Sequence, residues 1–259
     1  MSYVAIDGVD IWLEDSGGHG PIVVLLHGAA GSSECWVAQT PAFVSAGYRV
    51  IAYDLRGFGK TQPRPGLEAS GSIAGDLEAL VRVLAMPQFF LVAQAYGGFG
   101  ALEYALDNPA TLRGLVVSTS FGGLSDSEFT AMRARHIRAD LSSLPVEQRE
   151  LGASYLASNP EGVKRFLAME KSGYRGDGAR QTLRQPTTLT RLEGMAVPAL
   201  ILAADEDLYA PPPVMQALAE HIAGAEFEVI VGAGHCAYWE KPDEWDALVL
   251  RFLDKHRTT

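Results

Sequence analysis

Several short runs along the chain are apolar at nearly every position: Ile22–Leu26, Arg49–Tyr53 after its first residue, 89–92, 115–117 and 199–202. They lack the alternation of a half-exposed strand and have the character of parallel strands covered on both faces. Between them, 33–46, 71–84 and 98–106 carry apolar residues at the three-to-four spacing of amphipathic helices. Strand alternating with helix predicts a doubly wound, mostly parallel sheet. Two earlier segments, 3–6 and 10–15, do alternate, and they flank Asp7-Gly8. They read as a hairpin that adds antiparallel strands to one edge. The regularity breaks between 121 and 192, where 127–141, 145–158 and 161–171 have helical spacing and no buried strand is evident. So long a stretch is more than a connection. It predicts a helical cap at 121–192 inserted across the carboxyl ends of a core formed by 1–120 and 193–259. The parallel pattern resumes at Val197, and a strand at 226–231 and a helix at 242–253 close the core.

Composition narrows what such a fold could bind. With 259 residues, the chain suits one large α/β domain. A net charge of −10 opposes nucleic acid and anionic membranes as partners. The longest apolar runs fall far short of the ~20 residues of a membrane span, and the first residues show no charged-then-apolar leader pattern. A cytoplasmic monomer or homodimer acting on a small organic molecule is expected. Two cysteines, Cys35 and Cys236, make neither a disulfide framework nor a metal site by count or spacing. Each is expected to be a buried thiol, and no metal or cofactor is expected.

In an open α/β sheet, ligands sit beyond the carboxyl ends of the strands, and five loops there carry signals. His27-Gly28-Ala29-Ala30-Gly31-Ser32 has small residues that leave backbone amides accessible, so that of Ala29 can donate to an oxyanion. Glycine there also serves a tight turn. Asp54-Leu55-Arg56-Gly57-Phe58-Gly59 reads as a loop held by a local Asp–Arg ion pair. Leu91-Val92-Ala93-Gln94-Ala95-Tyr96-Gly97-Gly98 is a buried strand turning sharply into a helix, with small residues where the turn is crowded. Asp205-Glu206-Asp207-Leu208-Tyr209-Ala210-Pro211 offers carboxylates, and Gly232-Ala233-Gly234-His235-Cys236 offers an imidazole. The last two loops follow successive strands, so carboxylate and imidazole emerge at the same sheet edge. There the acid can orient the imidazole and support its cationic form.

Taken together, these residues resemble the α/β-hydrolase family over nearly the whole chain. The resemblance implies an eight-stranded, mostly parallel, twisted sheet with helices on both faces and a helical lid. It implies a site in the order nucleophile elbow, acid, histidine, which falls on Ala95, Asp207 and His235. Asp207 is preferred to Asp205 and Glu206 because it matches the family's Asp-x-x-x-Pro through Pro211. The amides of Ala29 and Tyr96 would form the oxyanion hole. The implied activity is hydrolysis of a carboxylic ester or lactone by a Ser-His-Asp mechanism, with carbon–carbon bond hydrolysis as the alternative.

One position departs from the pattern. The family's G-x-S-x-G is met as Ala93-Gln94-Ala95-Tyr96-Gly97, and a methyl group at residue 95 cannot attack a carbonyl. The chain is then an inactive Ser-to-Ala form of a hydrolase, a non-catalytic binder of small molecules, or a cofactor-free oxygenase using only His and Asp. Retention of Asp207, His235 and the glycine loops favours the first. For the substrate, Trp36 and Tyr209 either line an apolar pocket or pack in the core. The basic run from Met132 to Arg138 contains Arg133, Arg135, His136 and Arg138. It is either a solvated helix face or a contact region, with His136 touching substrate and an arginine reading a substrate carboxylate.

Overall fold

The computed structural model describes residues 1–65, 67, 71–173 and 180–258; positions 174–179 of the predicted cap lie outside these. Strands β1 (Ser2–Ile6), β2 (Val9–Asp15), β3 (Ile22–Leu26), β4 (Arg49–Tyr53), β5 (Gln62–Pro63), β6 (Phe89–Gln94), β7 (Leu112–Ser118), β8 (Ala199–Ala204) and β9 (Glu226–Ile230) form one sheet. Its order is β1-β2-β4-β3-β6-β7-β8-β9, with β5 paired to β2. All neighbours from β4 to β9 are parallel, whereas β1, β2 and β5 are antiparallel additions at one edge. Each central strand sends alternate residues to two cores. Leu91, Ala93, Leu115, Val117, Ile201 and Ala203 pack on one face, and Phe90, Val92, Val116, Leu200 and Leu202 on the other. The apolar runs have no polar alternation because helices cover both faces.

Helices α1 (Gln39–Ser45), α2 (Ile73–Val83) and α3 (Tyr96–Asp107) connect the early parallel strands. Between β7 and β8 lie α4 (Ser127–His136), α5 (Val146–Glu150), α6 (Ala153–Ser158), α7 (Pro160–Gly173) and α8 (Leu189–Glu193). Beyond β8 come α9 (Pro212–Ala219), α10 (Ala237–Glu240) and α11 (Pro242–Lys255). Among the described residues, no helix is long and apolar enough to cross a membrane.

Four expectations require correction. The helical runs at 127–141 and 145–158 are shorter than expected: α4 ends at His136, and Leu151-Gly152 separate α5 from α6. The sheet has nine strands among the described residues, not eight: β5 is a two-residue pairing of Gln62 and Pro63 with Asp10 and Val9. It is too short to leave a pattern, and proline, which cannot donate to a ladder, is tolerated at such an edge. The helix expected at 33–46 is broken into a 3-10 turn at Ser33–Trp36 followed by α1. Pro41 is compatible only with a helix's first turn, so an α-helix cannot run through it from residue 33. The Asp54–Arg56 ion pair does not form. Arg56 instead reaches buried Asp76 of α2, with Nε and Nη2 each 2.8 Å from a carboxylate oxygen. Asp54 accepts the backbone N–H groups of Ser33 and Lys60, both at 2.7 Å.

Candidate active site

The central strand β6 delivers the site's apex. It is buried throughout, and at Ala95 the chain reverses into α3 with φ 47° and ψ −114°. An L-residue with positive φ is strained by roughly 1–2 kcal/mol. The neighbours compel this geometry. A Cβ on Gly97 would lie 2.8 Å from the His27 carbonyl oxygen and 2.9 Å from the Leu26 Cβ. Strand and helix therefore approach more closely than side chains permit. The turn is further fixed by the Ala95 N–H donating to the Ser118 carbonyl at 3.0 Å and by Ser120 Oγ donating to the Ala95 carbonyl at 2.5 Å.

Two loops meet beside the apex. The Nδ1 of His235 lies 3.0 Å from each carboxylate oxygen of Asp207. A carboxylate only accepts, so Nδ1 carries the proton and Nε2, turned away from Asp207, is left as the acceptor. Asp207 is also oriented by the Tyr209 N–H, 2.8 Å from Oδ1. The His235 carbonyl accepts from Thr119 Oγ1 at 2.8 Å and from Gln94 Nε2 at 3.2 Å. Burial by itself would lower the imidazole pKa, but the charge and hydrogen bond of Asp207 outweigh it and hold the group above its usual value. The other carboxylates are engaged elsewhere. Asp205 accepts from the Gly232 N–H at 2.6 Å, and Glu206 from the Ser154 N–H at 2.9 Å.

The glycine loop after β3 is locked by a buried histidine. His27 Nε2 accepts the Leu55 N–H at 3.0 Å, which puts the other proton on Nδ1, 2.7 Å from the Gly28 carbonyl. Desolvation pushes the His27 pKa down, consistent with a neutral imidazole serving as a brace. A Cβ on Gly28 would fall 1.9 Å from Gln94 Oε1 and 3.1 Å from the Ala95 Cβ, so only glycine lets this loop reach the apex. Ala29 and Tyr96 both border the space above residue 95, and Tyr96 is the first residue of α3.

Ala29, Ala95, Tyr96, Tyr209 and His235 share one cavity of about 300 Å³. Tyr209, a predicted contact residue, lies on its wall with its ring 4.6 Å from the His235 ring. Trp36 and His136 do not. Trp36 is buried against Tyr238 and Trp245, at ring separations of 4.8 and 5.8 Å, and His136 is exposed at the end of α4. No side chain of the basic run lines the cavity, although Arg133 donates from Nε to the carbonyl of Tyr209 on its wall at 3.3 Å. Arg138 pairs with Asp140 at 2.8 Å, and Arg135 Nε bonds the Ala131 carbonyl at 3.3 Å. Arg133 stacks on Phe121 at 3.8 Å.

The charged groups on the wall are instead Arg149, Glu150, Glu170 and Arg180, beside apolar Phe99 and Phe121. Arg149, Glu150 and Glu170 leave no signal in the sequence, because a polar helix facing a cavity has the same pattern as one facing water, and Arg180 lies outside any helix. Thr119 and Ser120 were also missed, although their position directly after β7 places them at the carboxyl edge. Both cysteines are buried and free, and burial raises both thiols. Neither is poised as a nucleophile. Among the described residues, no cluster of His, Cys, Asp or Glu could hold a metal ion.

A strained strand-to-helix apex, an oriented imidazole and a glycine loop at the carboxyl edge of one sheet define the hydrolase architecture of the α/β class. A family model for the alpha/beta hydrolase fold matches residues 21–242, and the chain belongs to this family. It is 28% identical to the 2-hydroxy-6-oxononadienedioate/2-hydroxy-6-oxononatrienedioate hydrolase of Comamonas testosteroni, over 94% of this chain and 91% of that protein. A thermophilic esterase from Thermogutta terrifontis, solved with malate bound, superposes with a TM-score of 0.81 at 27% identity, covering 99% of this chain and 98% of that one. An N-acyl homoserine lactone degrading enzyme gives 0.77 at 26% identity, covering 96% and 99%.

Proposed function

We propose that the chain is the nucleophile-lacking form of a hydrolase for a carboxylic ester or lactone of a small organic substrate, with alanine at 95 in place of serine. The observation that carries this reading is the meeting of the strained apex at Ala95 with the buried His235–Asp207 pair in one cavity. Strain of this kind serves to present a reactive side chain, and the buried acid–base pair stands where it would activate one. The esterase and lactonase among similar structures support the ester or lactone, and the helical segment between β7 and β8 acts as the lid.

With serine at 95, the mechanism follows from the geometry. His235 Nε2 takes the hydroxyl proton as Oγ attacks the carbonyl carbon, while Asp207 steadies the imidazolium through Nδ1–H. The amides of Ala29 and Tyr96 receive the oxyanion. His235 returns the proton to the leaving oxygen, and water activated by the same imidazole releases the acid from the acyl-enzyme. The Comamonas relative favours a second reading, in which the cleaved bond is carbon–carbon. The test is Ala95→Ser, assayed on short-chain aryl esters, lactones and vinylogous 1,5-diketones. Ester or lactone turnover that needs the serine is the expected result. Turnover confined to the diketones would move the assignment to carbon–carbon hydrolysis, and turnover by the alanine form to chemistry of His and Asp alone.

A further inference from the structure

The loop bearing His235 is gripped from outside the sheet as well as by Asp207. Glu240, buried in α10, accepts the Gly234 N–H on both oxygens, at 3.0 and 3.1 Å. Its Oε2 also accepts the N–H of Gly152, between α5 and α6 of the lid, at 3.0 Å. One carboxylate therefore binds the residue preceding the imidazole and a turn of the lid. The two glycines touch: a Cβ on Gly234 would lie 2.3 Å from Gly152 N, and one on Gly152 2.8 Å from Gly234 N. Further bonds surround the contact. The Cys236 N–H donates to the Glu150 carbonyl at 2.9 Å, the Glu206 N–H to the Ala233 carbonyl at 2.9 Å, and Tyr209 OH to Glu150 Oε1 at 3.1 Å. Glu206 also receives both the N–H and the hydroxyl of Ser154.

Resting on the Ser-His-Asp reading of the site, we propose that Glu240 is a positioning residue. Through Gly234 it fixes the loop that carries His235, and through Gly152 it fixes to that loop the lid segment bearing Arg149 and Glu150, so base and cavity wall are set as one unit. A neutral acceptor could satisfy one amide, but a carboxylate gives two strong, charge-assisted bonds from one side chain.

The charge on the clamp is pH-dependent. Burial pushes the Glu240 carboxyl up to about 7, the amides of Gly234 and Gly152 oppose this, and the charges of Glu206 and Asp207 add to it. His235 and Cys236 on the same loop, Glu150 at the end of α5 and Tyr155 of α6 complete the titratable surroundings. As pH rises through about 7, Glu240 loses its proton and the clamp tightens; as pH falls, it loosens.

Two experiments test this. The first needs no catalysis: amide hydrogen exchange of the Ala95 protein and of Glu240→Gln, corrected for intrinsic rates, from pH 6 to 8. Gln presents an N–H₂ where one amide needs an acceptor. Residues 150–154 and 232–236 should lose protection together by about tenfold or more, the equivalent of roughly 1.4 kcal/mol, while β8 stays unchanged. The parent's protection should rise through pH 7, and this rise should be missing from the variant, whose remaining pH dependence is that of His235 on the same loop. Unchanged protection, or loss in one segment alone, overturns the clamp. The second uses Ala95→Ser protein carrying Glu240→Gln or Gly152→Ala, the latter forcing the same contact apart with Glu240 intact. A misplacement of about 1 Å can cost on the order of 100-fold in rate, so kcat should fall 10- to 100-fold with KM little changed in each. Folded variants with the parent kcat would overturn the proposal. If Ala95→Ser shows no turnover, the serine reading fails, and hydrogen exchange still decides the clamp.

Discussion

The strain at Ala95 can be measured by removing it. Glycine accepts φ 47°, ψ −114° without penalty, so Ala95→Gly should recover the ~1–2 kcal/mol that positive φ costs an L-residue. Against this stand about 0.4–1 kcal/mol from the freer unfolded chain and about 0.8 kcal/mol for a lost buried methyl, since Ala95 is 8% exposed. The terms nearly cancel, and a net change within about 1 kcal/mol of zero is expected. Ala101 in the middle of α3 is the control. It is fully buried in regular helix, so Ala101→Gly should lose about 1 kcal/mol of helix propensity and about 0.8 kcal/mol of burial with nothing returned. Urea unfolding of both variants reads the difference, which should be about 1–2 kcal/mol in favour of the apex. Equal destabilisation of the two would refute a strained elbow, and with it the argument that residue 95 is built to present a side chain.

Other consequences are as specific. Asp207→Asn in Ala95→Ser protein should lower kcat by about 10⁴-fold, as loss of the orienting acid does in Ser-His-Asp enzymes generally. In Ala95 protein the same substitution should move the His235 NMR titration to lower pH, because burial is then opposed only by the charges of Glu150 and Glu240. The pair's contribution to stability has the sign of a raised histidine: fully present below the unfolded value of about 6.5, and lost as pH rises through the higher folded pKa. Trp36→Ala should cost about 3–5 kcal/mol in urea unfolding as a core truncation. Trp36→Phe should cost far less, because Trp36 Nε1 is buried without a partner among the described residues, and it should leave KM of the serine form unchanged. Asp76→Ala should cost about 3–5 kcal/mol by removing the carboxylate of a buried ion pair with Arg56, whereas Arg138→Met on an exposed pair should leave unfolding unchanged.

What could be read without coordinates followed the physics of each segment. Strands buried on both faces, such as Ile22–Leu26 and Ala199–Ala204, announce themselves because no polar residue is tolerated there. The residues alone left three carboxylates open in the loop after β8; the resemblance to the α/β-hydrolase pattern, through Pro211, singled out Asp207, and the structure brings that carboxylate to His235. That Trp36 and His136 lie away from the cavity was not legible: an aromatic residue after a site loop looks alike whether it faces core or cavity, and a histidine ending a basic helix looks alike whether it faces ligand or water. Arg56 was assigned to the nearest acid in sequence, but its partner Asp76 lies 20 residues away and becomes a neighbour only when α2 packs. The cavity's charges and the Glu240 contacts depend on how the helices between β7 and β8 turn against the sheet. Amphipathic spacing reports that a helix has a polar face, not what that face meets.

The most direct test of the account is whether a serine at residue 95 becomes a nucleophile. Ala95 and Ala95→Ser proteins, the latter with and without His235→Ala, would be treated with a fluorophosphonate and weighed intact, with the adduct located by peptide mapping. One adduct is expected, on residue 95 of the Ala95→Ser protein alone, strongly slowed when His235 is removed. An unlabelled serine in a folded protein, or labelling indifferent to His235, would contradict it.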